Sequence, residues 1–263
     1  MATTPERPLA VVTGASSGIG YELARQFATN GFDLIVAAED DRINDVATEF
    51  AAEAVQVDLA TDAGVDELYG KLEGRKVDAL ALNAGIGAGG AFATDTSLSD
   101  ELKLIDLNVR STVHLAKHVV KDMVDRDEGR ILFTSSIAST MPGAFQAVYN
   151  ASKSFVQSFA LALRNELKDT NVTVTSLMPG PTDTEFFERA DMEDTKVGSG
   201  DKDDPAEVAK DGFEALMAGK ERAVSASLST KLQGRGSRLM PDKVKAEMHR
   251  RMAEPGSGDD SGS

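Results

Sequence analysis

Hydrophobic and polar residues follow two rhythms along this chain, and the rhythms take turns. Short apolar runs of strand type fall at residues 9–13, 33–38, 54–58, 78–83, 130–135 and 172–178. Between most of them lie longer stretches with apolar residues three and four apart, the period of a helix with one buried face. The first passes through Ile19, Leu23, Ala24, Phe27 and Ala28, and Gly31 closes it. A second is capped by Asp40 or Asp41 and runs to Phe50, and others cover 62–72, 98–127 and 147–168. Such alternation predicts an α/β fold, a parallel sheet covered by helices on both faces. After Pro179 the pattern loosens. Residues 188–204 are polar and acidic and read as a mobile loop. A helix over 205–218, a short strand near 223–226 and a last helix over 241–253 follow. The final stretch, 254–263, has nothing to bury and is expected to be disordered and dispensable. One domain over 1–253 accounts for the pattern, and no internal repeat interrupts it.

Composition narrows the picture. There are 28 basic and 43 acidic residues, a formal net charge of −15, which argues against nucleic-acid or anionic-membrane partners. No run approaches the ~18–20 apolar residues of a membrane span. The first residues lack the apolar core of a secretory signal. The chain has no cysteine, so disulfides and thiolate metal sites are excluded. A cytoplasmic enzyme is the default expectation. His114 and His118 stand four apart and could share a metal, but the zincin glutamate is absent between them. The pair reads as a solvated helix face, and no metal is expected.

Two stretches carry candidate chemistry. Tyr149 and Lys153 are four apart, one helical turn on one face. A free phenol has a pKa of about 10, and a nearby ammonium favours its ionised form. Lowering that pKa by ~2–3 needs about 3–4 kcal/mol of differential stabilisation. Tyr-x-x-x-Lys is weak alone, since such a face is usually a snorkelling surface. The chain has only three tyrosines, however, and Tyr149 alone follows a serine-rich strand end. The second stretch is Gly14-Ala15-Ser16-Ser17-Gly18-Ile19-Gly20, between the first strand and its helix. A strand, a glycine turn and a helix N-terminus form an anion site. Gly14 permits the turn, Gly18 the approach of a pyrophosphate, and Gly20 close helix–strand packing. One glycine would suffice for a plain turn, so three favour a dinucleotide.

Thr13-Gly14-x-x-x-Gly18-x-Gly20 resembles the cofactor signature of the short-chain dehydrogenase/reductase family. Asn83-Ala84-Gly85 is similar to that family's Asn-Ala-Gly motif. Asn108 and Ser136 stand 41 and 13 residues before Tyr149, the spacing of its Asn, Ser, Tyr and Lys tetrad. Pro179-Gly180-Pro181-Thr182-Asp183-Thr184 resembles its Pro-Gly motif. The resemblance spans about 7–250. It implies a doubly wound Rossmann-type sheet of seven parallel strands. It implies an NAD or NADP oxidoreductase acting on an alcohol or ketone, with Asn108, Ser136, Tyr149 and Lys153 catalytic. The implied cofactor residues are Gly14, Ser16, Ser17, Gly18, Ile19, Gly20, Glu39, Asp58, Leu59, Asn83, Ala84, Gly85, Tyr149, Lys153, Pro179, Gly180, Thr182 and Thr184. In this family Asn108 would position a water that carries the proton onward.

Several alternatives stay open at this stage. Ser135 rivals Ser136 within Thr134-Ser135-Ser136. A dinucleotide-binding sensor or structural subunit is the rival function. Sugar-nucleotide epimerases share Tyr-x-x-x-Lys but differ in glycine spacing. The substrate pocket should draw on residues 85–92, on Met141, Pro142, Ala144 and Phe145, and on the loop from Phe186 to residue 204. NAD is favoured over NADP because Ser17 and Glu39 stand where a 2′-phosphate would need cations, though Arg42 lies one turn further on. The wide apolar arc of the Tyr149 helix predicts a homo-oligomer, a tetramer or a dimer.

Overall fold

The computed structural model describes residues 7–225 and 241–258. Seven parallel strands form one sheet in the order β3-β2-β1-β4-β5-β6-β7. They are β1 Leu9–Thr13, β2 Asp33–Ala38, β3 Glu53–Gln56, β4 Val77–Leu82, β5 Gly129–Thr134, β6 Val172–Pro179 and β7 Arg222–Ser225. Their pleat sends successive side chains to opposite faces. Leu9 and Val11 join one core, with Leu68 of α3 (Asp62–Leu72), Leu115 of α5 (Thr112–Asp125) and Val156 of α6 (Ala147–Glu166). Ala10 and Val12 join the other. There they meet Phe27 of α1 (Gly18–Thr29), Ile43 of α2 (Arg42–Phe50) and Phe213 of α9 (Pro205–Met217). The predicted doubly wound architecture is therefore present, with strands buried on both sides as a parallel sheet requires.

β1 turns to β2 on one side and β4 on the other, so the chain reverses direction across the sheet at the C-terminal edge of β1. Ligands of open α/β sheets sit at such a switch point. The glycine turn after β1, the Asn-Ala-Gly after β4, the serines after β5 and the Pro-Gly after β6 all emerge at this edge.

Four expectations need correction. The helix read as 98–127 is α4 (Leu98–Ile105), a π-helical turn (Asp106–Ser111) and α5. Ser111 and Thr112 donate their hydroxyls to the carbonyls of Leu107 and Asn108, competing with the helical ladder there. β3 ends at Gln56 rather than residue 58, because Asp58 turns the chain. Its Oδ1 accepts from Ala60 N at 2.8 Å and its carbonyl accepts from Thr61 N at 3.2 Å. Residues 188–204 are not a bare loop. α7 (Phe186–Arg189) and α8 (Lys196–Ser199) lie across them, and Ala190 and Met192 are buried with Phe187 against Ala253 of α10 (Asp242–Ala253). A few apolar residues in an acidic stretch thus find a core of their own. The tail also begins differently. Gly258 N donates to the Asp194 carbonyl (2.8 Å), Gly256 N to Asp194 Oδ2 (2.7 Å), and Ser257 Oγ accepts from Lys196 N (3.1 Å). Residues 254–258 are tied to the 194–196 segment by backbone groups, which hydropathy does not register. Residues 259–263, and Ala226 of the predicted last strand, lie outside the described residues.

Candidate active site

The turn after β1 is built by close approach. Gly14 has φ +64°, in the left-handed region, and a Cβ there would sit 2.8 Å from the Ala84 Cα. Gly20 lies under it, and its Cβ would fall 2.0 Å from the Gly14 carbonyl oxygen. Ser17 occupies the cap position of α1 without a side-chain hydrogen bond to the helix. The first-turn N–H groups of α1 thus keep their free donors and the positive end of the dipole. Asn83 braces the edge from behind. Its Nδ2 donates to the carbonyls of Thr13 (3.3 Å) and Gly14 (3.4 Å), and its Oδ1 accepts from Thr134 Oγ1 (3.0 Å). Thr13 Oγ1 accepts from the backbone N–H of Asn83 and Ala84.

A single cavity of about 720 Å³ runs from this turn to Tyr149 and beyond. The uncapped helix start, the glycine cradle and a cavity this long fit a dinucleotide. A phosphate accepts hydrogen bonds from such N–H groups, and Gly14 and Gly18 add no side chain of their own at the turn.

At the far end α6 presents Tyr149 and Lys153, 9% and 5% exposed. Lys153 Nζ lies 5.9 Å from the Tyr149 ring centroid and donates to the Thr134 carbonyl at 3.1 Å. Phe186 covers the phenol, with ring centroids 5.2 Å apart. Burial pushes the Tyr149 phenol up to about 12, and hydrogen bonding with Ser136 offsets part of that rise. The same burial pushes the Lys153 ammonium down to about 8. The sequence reading expected the lysine to lower the phenol. Here burial is what raises the phenol, and the Lys153 ammonium donates to the Thr134 carbonyl.

The two serines differ in their partners. Ser135 Oγ donates to the Lys153 carbonyl at 3.0 Å and is 2% exposed, so it is spent on the helix. Ser136 lines the cavity, its Oγ accepting only from Ala138 N (3.1 Å) besides its contact with Tyr149.

Asn108 lies in the π turn, 1% exposed. Its Oδ1 accepts from Ile86 N at 2.9 Å, and its Nδ2 donates to Ile86 O (2.9 Å) and Ser152 Oγ (3.1 Å). Ser152 in turn donates to the Tyr149 carbonyl at 2.7 Å. The side chain is thus occupied in joining the 85–87 loop to α6.

The family model described as short chain dehydrogenase matches residues 8–194. The chain belongs to the short-chain dehydrogenase family. As a member it is an oxidoreductase with a nicotinamide dinucleotide site. Among its relatives is an uncharacterized short-chain type dehydrogenase/reductase of Sinorhizobium fredii. It is 38% identical over 69% of this chain and 73% of that protein. An NADP-dependent 3-hydroxy acid dehydrogenase of Salmonella typhi is 33% identical over 79% of this chain and 87% of its own. Among solved structures, a short-chain dehydrogenase of Sphingobium yanoikuyae in complex with NADPH superposes with a TM-score of 0.79. It is 27% identical and covers 88% of this chain and 93% of its own.

Within this short-chain dehydrogenase, the cavity wall contains nearly every residue predicted as catalytic or cofactor-binding, whereas residues 88–92, Pro142, Ala144 and Phe145 of the expected substrate pocket lie outside it. Ser16, Ser17, Ile19, Glu39, Asp58, Leu59, Ala84, Gly85, Pro179, Gly180, Thr182 and Thr184 all line it, with Gly14, Gly18, Asn83, Ser136, Tyr149 and Lys153. Gly20 and Asn108 stand behind the wall and shape it. Asp40 was read only as a helix cap, yet it lines the cavity and accepts from Ser16 Oγ at 2.7 Å. Burial raises its carboxyl, but hydrogen bonds from Ser16 and Arg42 together outweigh this and leave it below the ordinary range. Arg42 forks onto Glu185 at 2.7 and 3.1 Å, bridging α2 to the segment before α7. The largest omission is α10, which supplies Met248, His249 and Met252 to the wall of the cavity. His249 Nδ1 lies 3.0 Å from the Ala144 carbonyl, and burial pushes its pKa down. Nothing in the pattern of that polar helix marks it as a pocket wall.

Proposed function

We propose that this protein transfers a hydride reversibly between NAD and an uncharged, largely apolar secondary alcohol or its ketone. One observation carries this reading. The buried Tyr149, Lys153 and Ser136 share one cavity with the glycine cradle of α1. The dinucleotide supplies the hydride acceptor or donor, which no side chain can be. Gly14 and Gly18 admit its phosphates, and the first turn of α1 binds them. Tyr149 Oη moves the proton to or from the substrate oxygen. A phenol protonated at neutral pH is a ready donor for the reductive direction. Ser136 Oγ hydrogen-bonds the substrate oxygen where charge develops. Lys153 holds the ribose beside the phenol. Asn108 positions the Gly85 loop and α6, and its saturated side chain favours this over a water-carrying role.

The substrate end is lined by Met141, Phe186, Phe187, Val197, Met248 and Met252. Among the described residues its one arginine, Arg189, is paired with Glu185. This supports an uncharged substrate, unlike the 3-hydroxy acid named for the Salmonella typhi relative. NAD is favoured by the carboxylates of Glu39 and Asp40 at the ribose end. Arg42 is held by Asp40 and Glu185, and Lys103 lies 3.6 Å from Glu39. A 2′-phosphate would find its cations already engaged. The test is a panel of apolar and acidic ketones assayed with both cofactors. Dissociation constants for NADH and NADPH are measured at one salt concentration in the wild type, Glu39→Gln and Asp40→Asn. NADH should bind about tenfold or more tightly than NADPH, and the gap should narrow in the variants. Tighter NADPH binding in the wild type sinks the NAD assignment, and reduction of acidic ketones alone sinks the substrate class.

We also propose that a second copy covers an open apolar groove of about 430 Å³ beside α6, formed by Phe92, Ile105, Val148 and Phe155. Phe92 is 61% exposed, and Leu98 and Leu102 nearby are also exposed. Charged side chains usually cover such a face on a monomer. Light scattering at micromolar concentration should give a multiple of the 27.8 kDa chain mass, and a strictly monomeric mass would reject it.

A further inference from the structure

The facing surfaces of α3 and α5 bring together Asp66 with His114 and His118, on the sheet face that carries Tyr149's helix. His114 Nε2 lies 3.1 Å from Asp66 Oδ1. The imidazole centroids of the two histidines are 5.3 Å apart. One ligand atom from each of the three residues falls within 4.8 Å of the others. Both histidines are half-buried, and Asp66 is exposed. The surroundings hold the rings in place. Tyr69 stacks on His118 with centroids 4.4 Å apart, and its hydroxyl donates to Asp122 at 3.1 Å. Asp62 stands 3.7 Å from His114 Nδ1, the nitrogen turned away from Asp66, and Arg110 pairs with that aspartate. None of these residues lines the cofactor cavity.

We propose that Asp66, His114 and His118 form a binding site for one divalent transition-metal ion of borderline softness, the class that Zn²⁺ represents. Imidazole nitrogens suit Zn²⁺, Cu²⁺ and Ni²⁺, whereas Ca²⁺ and Mg²⁺ take oxygen ligands. Bonds of about 2.0–2.2 Å to nitrogen and oxygen place the ligand atoms of one tetrahedral ion roughly 3.5 Å apart. The His114–Asp66 pair lies close to that spacing, and the His118 ligand atom, within 4.8 Å of both, needs only a small shift that keeps its ring on Tyr69. A carboxylate on the second nitrogen of a ligating histidine fixes its ring and raises its basicity, and Asp62 holds that position for His114. Three protein ligands at a partly open surface leave a fourth position to water. The ion would therefore join α3 to α5 and take no part in hydride transfer. In the sequence the histidine pair looked unpartnered, because its carboxylate lies 48 residues upstream on another helix.

The test uses the full chain, freed of metal by a chelator and titrated with ZnCl₂ by calorimetry. One ion per chain should bind with a Kd tighter than about 100 μM, and ZnCl₂ should raise the melting temperature. The His114→Ala/His118→Ala double variant and Asp66→Ala should each lose about tenfold or more in affinity. Their metal-free melting temperatures and NADH-dependent rates should match the wild type, which separates this site from the active site. A Kd weaker than that threshold, unchanged affinity in the double variant, or equal affinity for Mg²⁺ would overturn the proposal.

Discussion

In Tyr149→Phe, turnover falls by about 10²–10⁴-fold, the range that a positioned general acid–base contributes, while NADH still binds. The substitution removes one oxygen and little else. The ring keeps its place against Phe186, with centroids 5.2 Å apart in the wild type, and stays in the buried wall. Lys153 keeps its bond to the Thr134 carbonyl, so the charge arrangement in this part of the cavity persists. Loss of a buried hydroxyl whose partner is Ser136 costs about 1 kcal/mol of stability, too little to unfold a chain of this size. Steady-state rates and fluorescence titration of NADH separate the two effects. Turnover within tenfold of the wild type would remove Tyr149 from the proton path.

Gly20→Ala is expected to abolish dinucleotide binding and to lower stability. The added Cβ meets the Gly14 carbonyl oxygen at 2.0 Å and Asn83 Nδ2 at 2.6 Å. One of these is backbone in the turn itself, and the other is an amide that braces β1 to β4 and β5. Neither is the free end of a flexible side chain, so α1 must move away from the sheet. Overpacking of this kind typically costs about 1–3 kcal/mol, and more where backbone must shift. A shift of the helix start also carries the phosphate-binding N–H groups off their positions. Gly70→Ala in α3 is the control, since nothing lies within 4 Å of its Cβ. That change should raise stability by about 0.5–1 kcal/mol. Melting curves and NADH titrations compare the two. Wild-type affinity in Gly20→Ala would show that the turn tolerates a methyl group and that close approach does not set its shape.

The strands and most helices could be read from the chain because a parallel sheet buries each strand on both faces. Apolar runs such as Leu34 to Ala38 therefore have no other place to go. The glycine turn was legible for a related reason, since φ +64° at Gly14 and the contact under Gly20 exclude side chains. The break between α4 and α5 was not. Leu104 before it and Leu115 after it both face the interior, and a hydropathy period does not reveal an extra residue between two correct stripes. The substrate end was hidden by distance along the chain. Met248 and Met252 reach the cavity only because α10 folds back over the segment that carries Phe187 and Met192. The burial of Tyr149 was not legible, because pairing is visible in a sequence and desolvation is not.

The π turn at Asp106–Ser111 also limits how this lineage can change. Each residue in a helix turns the chain by about 100°. Winding the same residues as a regular helix would rotate everything after them by about that angle. Leu115, Val119 and Met123 would then leave the sheet, while Asn108 would lose its grip on Ile86 and Ser152. No single later substitution compensates for a rotation. The residue count and the wide turn must therefore change together, since either one altered alone turns the buried face of α5 away from the sheet.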